Sequence, residues 1–248
     1  MNETTKVPVL VTGGAGYIGS HAVLALRDAG WPVAVIDNLS TGFAFAVPED
    51  VPLYEGDISD SILLEQIFAE QGTEAIMHFA GSIVVPESVE DPLGYYDNNT
   101  VKSRALIEAA VEGGVAHFIF SSTAATYGTP EHSPVTEDSP KQPINPYGWS
   151  KLMTEQMLAD ASAAHGFNFC ALRYFNVAGA DPQARTGQST AGSAPPTPRH
   201  GLQICAWGGS GSTQLSHFAD KLVVNLIVVP RAERQCHGNR RRRFLPGA

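Results

Sequence analysis

The 248-residue chain predicts an α/β fold built on a doubly wound parallel sheet. Three observations predict it. From residue 7 to about residue 178, short apolar runs of strand type alternate with longer segments of helical period. The first apolar run feeds a glycine-rich turn that opens a helical segment. The residues that stand out chemically fall just after strand candidates, where ligands bind in open sheets of this kind.

The first strand candidate, 7–11, is apolar throughout and runs into Thr12-Gly13-Gly14-Ala15-Gly16-Tyr17-Ile18-Gly19. The helix candidate 19–29 follows, with Ala22, Val23, Ala25 and Leu26 at helical spacing. One such glycine makes a tight turn, another lets the backbone approach a pyrophosphate, and a third lets helix and strand pack closely. The helix N-terminus adds free N–H groups and the positive end of its dipole. An isolated turn of this kind is equally an ordinary tight turn, so its neighbours decide. The second strand candidate, 33–36, ends at Asp37, eighteen residues after Gly19. A carboxylate there accepts from a ribose and repels a 2′-phosphate, which selects NAD over NADP.

Strand candidate 52–54 precedes Asp57 and helix candidate 60–70; strand candidate 75–79 delivers Phe79, Ala80 and Gly81. Helix candidate 93–113 leads to strand candidate 116–121, which ends in Ser121-Ser122-Thr123. Helix candidate 147–165 leads to strand candidate 169–174, followed by Phe175 and Asn176. Right-handed crossovers place these helices on both faces of the sheet.

Tyr147 and Lys151 stand four apart at the start of a predicted helix, hence on one face. An ammonium nearby, with NAD beside it, favours the phenolate and lowers the tyrosine pKa from about 10. Such a tyrosine takes a proton from a sugar hydroxyl. Thr123 is placed to hydrogen-bond the same reacting oxygen. The plain alternatives are a surface Tyr–Lys pair and a small-residue turn at a strand end.

Composition bounds the rest. The three cysteines, Cys170, Cys205 and Cys236, are widely spaced, so neither a disulfide framework nor a metal site is expected, and a reducing cytoplasm is. Met1 to Lys6 is polar, without the pattern of a signal peptide, and the apolar run 222–229 is too short to span a bilayer. Neither a membrane nor a nucleic acid is expected as a partner.

The chain resembles the extended short-chain dehydrogenase/reductase family and, within it, the 4-epimerases of UDP-hexoses. The matching stretches are TGGAGYIGSH (12–21), DNLSTG (37–42), GDI (56–58), HFAG (78–81), VPESV (85–89), YYDNN (95–99), SSTAATYG (121–128), NPYGWSK (145–151) and RYFNVAGADP (173–182). The resemblance implies a Rossmann-like domain over residues 1–180 and the start of a substrate region over 181–192. It implies that Tyr147 is the catalytic base, that Lys151 tunes it and holds the nicotinamide ribose, and that Thr123 assists at the reacting hydroxyl. Gly13, Gly16, Tyr17, Ile18, Gly19, Asp37, Asn38, Asp57, Ile58, Phe79, Ala80, Gly81, Asn98 and Phe175 would line the NAD site together with Tyr147 and Lys151. Thr123, Tyr147 and Asn176 would face the sugar nucleotide. The implied reaction inverts C4 of a UDP-hexose (UDP-glucose or UDP-galactose) through a 4-keto intermediate. Related 4,6-dehydratases carry an Asp-Glu pair after the threonine; Ala124-Ala125 here favours epimerisation. A homodimer through helices 93–113 and 147–165 is also implied.

The pattern is lost after Gly192. Residues 1–192 hold 8 Lys+Arg and 23 Asp+Glu, a net −15, whereas 193–248 hold 8 and 2, a net +6. The later segment is rich in proline, glycine and arginine and ends near Arg240-Arg241-Arg242-Arg243; only 218–229 is apolar enough to suggest an element. The expectation is that the family's C-terminal substrate domain is missing or replaced by an unrelated, poorly ordered basic tail over 193–248. Three readings of that tail stand open: a frameshift, a divergent substrate region, or a basic appendage binding nucleic acid or an acidic surface.

Overall fold

The computed structural model describes residues 6–177, 179–188 and 204–208. Its strands are β1 (Val9–Thr12), β2 (Val33–Asp37), β3 (Leu53–Glu55), β4 (Ala75–His78), β5 (His117–Thr123), β6 (Asn168–Tyr174) and β7 (Ile204–Gly208). They form one sheet in the order β3-β2-β1-β4-β5-β6-β7. The first six are parallel, and β7 pairs antiparallel to β6 with Tyr174 opposite Ile204. The order reverses direction between β1 and β4, which opens a crevice at their carboxyl ends.

Alternation along the strands explains why both faces are covered. Val9, Val11, Val35, Met77 and Ile119 point into one apolar core, where Ala22, Val23 and Leu26 of α1 (Tyr17–Asp28) meet them. Leu10, Ile36, Ile76, Phe118 and Phe120 point into the other. There they meet Leu64 and Ile67 of α2 (Ser61–Gln71). Two later helices carrying Leu106 and Leu158 complete that layer. A parallel strand buried on both sides must be apolar at every position, as the strand runs here are. Asp60 caps α2 by accepting from the Ile62 and Leu63 N–H groups.

Between α2 and β5 the chain forms α3 (Val85–Glu90), α4 (Pro92–Tyr96), a π-helical turn over Asp97–Val101, and α5 (Lys102–Glu112). The sequence reading of one helix over 93–113 therefore resolves into α4, the π turn and α5, and it missed α3. A π turn inserts a residue and releases carbonyls from the helical ladder, and such turns favour functional sites. The last helix among the described residues, α6 (Pro146–His165), is capped by the Asn145 side chain accepting from Gly148 N–H at 2.8 Å.

The six parallel strands and four expected helices lie within one or two residues of their sequence-based bounds, apart from that division. The strand Ile204–Gly208 was not expected. The apolar run 218–229 lies outside the described residues, as do the closing arginines.

Candidate active site

Every candidate residue lies at the carboxyl end of the sheet. Gly13 follows β1 with φ of 69°, a left-handed conformation suited to glycine. A Cβ there would stand 2.6 Å from the Ala80 nitrogen, so the turn and the Phe79–Gly81 segment pack backbone to backbone. A Cβ on Gly19 would collide with the Gly13 carbonyl at 2.0 Å. Gly16 differs. It caps α1 without a side-chain cap, and a Cβ there would meet only the Gly13 oxygen, at 3.3 Å. That contact is tight but not a collision, and the first turn of α1 carries no acidic residue. A helix start of this kind is suited to cradle an anionic group. Gly16→Ala is therefore expected to cost about 1 kcal/mol or less in stability. A methyl in the cradle should weaken NAD binding by about tenfold or more. Denaturant unfolding and fluorescence titration check the two parts; Gly13→Ala should instead disrupt folding.

Asp37 closes β2 almost fully buried, with Oδ2 accepting from Ala15 N–H at 2.9 Å and Oδ1 from Leu39 N–H at 2.9 Å. Each oxygen keeps a lone pair for a ribose hydroxyl. Asn38 is exposed and accepts from Ser40 N–H. Asp57 is half-buried beside buried Ile58; Ser59 and the Lys102 ammonium, 2.6 Å away, hold its carboxylate. Burial raises the Asp57 pKa, but those donors hold it below the usual value. Tyr17 donates to the Gly179 carbonyl at 2.6 Å, and Ile18 packs on the core beneath the turn. Phe175 and Asn176 follow β6 and are exposed.

Tyr147 and Thr123 meet in a hydrogen bond. Lys151 lies one turn deeper on α6, only 3 % exposed, with its ammonium 5.1 Å from the Phe120 ring centroid. The electrostatics differ from the sequence expectation. Burial holds the Tyr147 phenol above its ordinary value, and the Thr123 bond pulls it partly back. Burial also pushes Lys151 down to about 8. Desolvation thus opposes both charged forms and outweighs the expected lowering of Tyr147.

The sequence reading missed the residues that hold this site together. Asn99, in the π turn, is buried and bonds Ser82 twice: its Oδ1 accepts from Ser82 N–H at 2.7 Å and its Nδ2 donates to the Ser82 carbonyl at 2.9 Å. The same Nδ2 reaches Ser150 Oγ at 3.1 Å, next to Lys151. Asn98 donates to Ser82 Oγ. The signal was a polar residue, Asn99, four before Ser103 on the stripe that continues into the buried Leu106, Ile107 and Ala110.

His78 is a second buried tie. Ser103 Oγ donates to the Asn99 carbonyl at 2.6 Å, so it accepts from His78 Nε2–H at 2.8 Å. His78 Nδ1 is then the acceptor for the Thr12 hydroxyl at 2.7 Å. Burial, reinforced by the Lys151 charge, pushes His78 down to about 3. Between that value and the ordinary 6.5, the unfolded chain binds a proton that the folded chain refuses. The contribution of neutral His78 is thus complete above pH 6.5 and lost as pH falls towards 3. The stability gap between the wild type and His78→Asn is expected to narrow on acidification from neutrality to about pH 4, measured by urea unfolding at each pH.

The model of the NAD dependent epimerase/dehydratase family matches residues 9–232, past the point where the motifs fade. A UDP-glucose 4-epimerase from Azospirillum brasilense is 61 % identical over 190 residues, covering 76 % of this chain and 55 % of that protein. The crystal structure of a UDP-glucose 4-epimerase from Brucella ovis in complex with NAD aligns with a TM-score of 0.72 at 44 % identity. That alignment covers 74 % of this chain and 56 % of the other. A UDP-glucose 4-epimerase from Bifidobacterium longum in complex with NAD+ and UDP aligns with a TM-score of 0.71 at 39 % identity, over 75 % and 58 % of the two chains. The chain thus spans a little over half the length of these relatives. With that family model matched over most of its length, the chain belongs to the NAD dependent epimerase/dehydratase family.

Proposed function

We propose that this chain carries the cofactor-holding and proton-transfer half of an NAD-dependent UDP-hexose 4-epimerase. The observation that carries the proposal is the hydrogen-bonded Tyr147–Thr123 pair, set over buried Lys151 at the same sheet end as the Gly16 helix start. The relatives named above are UDP-glucose 4-epimerases, and two of their structures hold NAD. Gly13, Gly16 and Gly19 shape the cradle for the pyrophosphate, with Tyr17 and Ile18 at its helix. Asp37 and Asn38 receive a ribose, and Asp57 and Ile58 the adenine end. Phe79, Ala80, Gly81, Asn98 and Phe175 line the rest. NAD, when bound, supplies a hydride acceptor that returns the hydride to the sugar.

The residues of this chain do the proton work. Tyr147 accepts the proton of the sugar 4-hydroxyl and later gives it back. Thr123 orients that hydroxyl through the same oxygen it shares with Tyr147. Lys151 holds positive charge beneath them, which favours the phenolate as hydride leaves C4 and a 4-keto sugar forms. Asn176 faces the sugar nucleotide. Ala124, buried in the short 3₁₀ turn after Thr123, and Ala125 offer no acid–base pair for eliminating water, which favours epimerisation over dehydration.

A second reading is a cofactor-binding fragment without turnover, favoured by the extent of the match, about 55 % of the Azospirillum protein. Remote contacts to the nucleotide supply much of the positioning in such catalysis. A coupled assay of UDP-galactose to UDP-glucose conversion, run beside an NAD titration, separates the two. Saturable NAD binding with turnover supports the first; NAD binding without turnover of either sugar leaves the second. Failure to bind NAD overturns both.

We also infer a homodimer through the outward faces of α4, the π turn and α6. Leu93, Val101, Trp149 and Met153 are exposed there at 77, 54, 41 and 42 %. Sedimentation equilibrium tests it. Among the described residues no helix is long and apolar enough to cross a membrane. A reducing cytoplasm accords with the cysteine usage, the three cysteines being widely spaced in the sequence.

A further inference from the structure

We propose that the buried Arg173–Glu155 pair is a positioning clamp that sets where Tyr147 stands against Thr123; this rests on the reading of Tyr147 as the proton acceptor. Tyr147, Lys151 and Glu155 lie at successive four-residue steps on α6, so they form one row facing the sheet. Arg173 lies in β6 opposite Ser122, the residue before Thr123. Its Nε donates to both Glu155 oxygens at 2.9 and 3.1 Å, and its Nη2 to Oε2 at 2.5 Å. Ser122 Oγ donates to the same carboxylate. Nη1 reaches the Tyr127 hydroxyl at 2.9 Å, and the guanidinium lies 5.3 Å from that ring's centroid. Tyr127 ends the turn that starts at Thr123, whose Oγ1 accepts from Ala125 N–H.

The ion pair therefore references three things at once: through Glu155 the strand residue next to Thr123, through Arg173 the turn leaving Thr123, and through both the helix that carries Tyr147. The two side chains are 1 % and 4 % exposed. A buried ion pair at that depth is weak evidence for stability, because apolar residues of similar volume often replace both partners without loss. It does supply directional bonds that an apolar contact lacks. A catalytic group displaced by about 1 Å loses about a hundredfold in rate.

The test compares the full chain with the double variant Glu155→Met/Arg173→Met and with Glu155→Gln. Melting temperature and NAD titration report the fold. The Tyr147 phenol is titrated by ultraviolet difference against the same background carrying Tyr147→Phe. The double variant is expected to melt close to the wild type and bind NAD within about twofold. Its phenol pKa should rise by about one unit as the Thr123 bond weakens. Its kcat should fall about 10- to 100-fold with KM little changed. A folded double variant with both phenol pKa and kcat at wild-type values overturns the clamp. Should the double variant not fold, Glu155→Gln decides by the same readouts. Should the wild type turn over no UDP-hexose, the proposed function fails, and the phenol titration still decides the clamp.

Discussion

Tyr147→Phe should lower turnover by about 10²- to 10⁴-fold, the range general acid–base groups supply, while leaving NAD binding nearly unchanged. The substitution keeps the ring, and with it the packing of a largely buried side chain at the start of α6. It removes the hydroxyl that bonds the Thr123 side chain. Losing that bond costs about 1 kcal/mol of stability, which thermal unfolding registers but which does not account for a rate loss of this size. The coupled assay and an NAD titration on the same preparation read the two effects. A variant that kept turnover within tenfold of wild type would remove Tyr147 from the reaction. The buried lysine adds a pH dependence. Lys151 titrates near 8, so the charge that favours the phenolate fades above that pH.

Arg173→Met is expected to destabilise the chain by about 3–5 kcal/mol, the cost of leaving a buried charge without its partner. Burial works against the Arg173 charge, and its bonds to Glu155 and Tyr127 more than restore it. In the single variant the methionine stem still fills the core between β6 and α6. The Glu155 carboxylate, with its side chain 4 % exposed, then keeps only the Ser122 donor among its three bonded groups. A loss of that size lowers the melting temperature by roughly 10 °C for a chain of this length. Removing both charges together should cost much less. Scanning calorimetry on the two variants separates them; equal losses in single and double would show that packing, not the unpaired charge, sets the cost.

These expectations come from different levels of the molecule. The six parallel strands and the helices between them are legible in the chain because their periods are local. A strand buried on both faces must be apolar throughout, and 7–11 and 33–36 are. The turn after β1 is legible because only glycine tolerates the left-handed Gly13 and the contact of 2.0 Å at Gly19. The Tyr147–Lys151 pair is legible because four residues make about one helical turn. The divided helix at 97–101 was not, since a π turn keeps the same composition and nearly the same period as the helix around it. The edge strand Ile204–Gly208 was not either, since its place depends on the free edge of β6.

By itself, then, the sequence determined the layered sheet, the glycine turn after β1 and the placing of Tyr147 and Lys151 on one face of a helix. Each of these depends on residues within one element or on successive elements. Only the tertiary structure decided the state of that pair. Packing α6 over β5 and β6 buries Tyr147 and Lys151 together and raises one pKa while lowering the other. It also joins Glu155 to Arg173 across eighteen residues and Asn99 to Ser150 across fifty-one. Desolvation and long-range hydrogen bonds arise only when distant segments close on one another, and no local period records them.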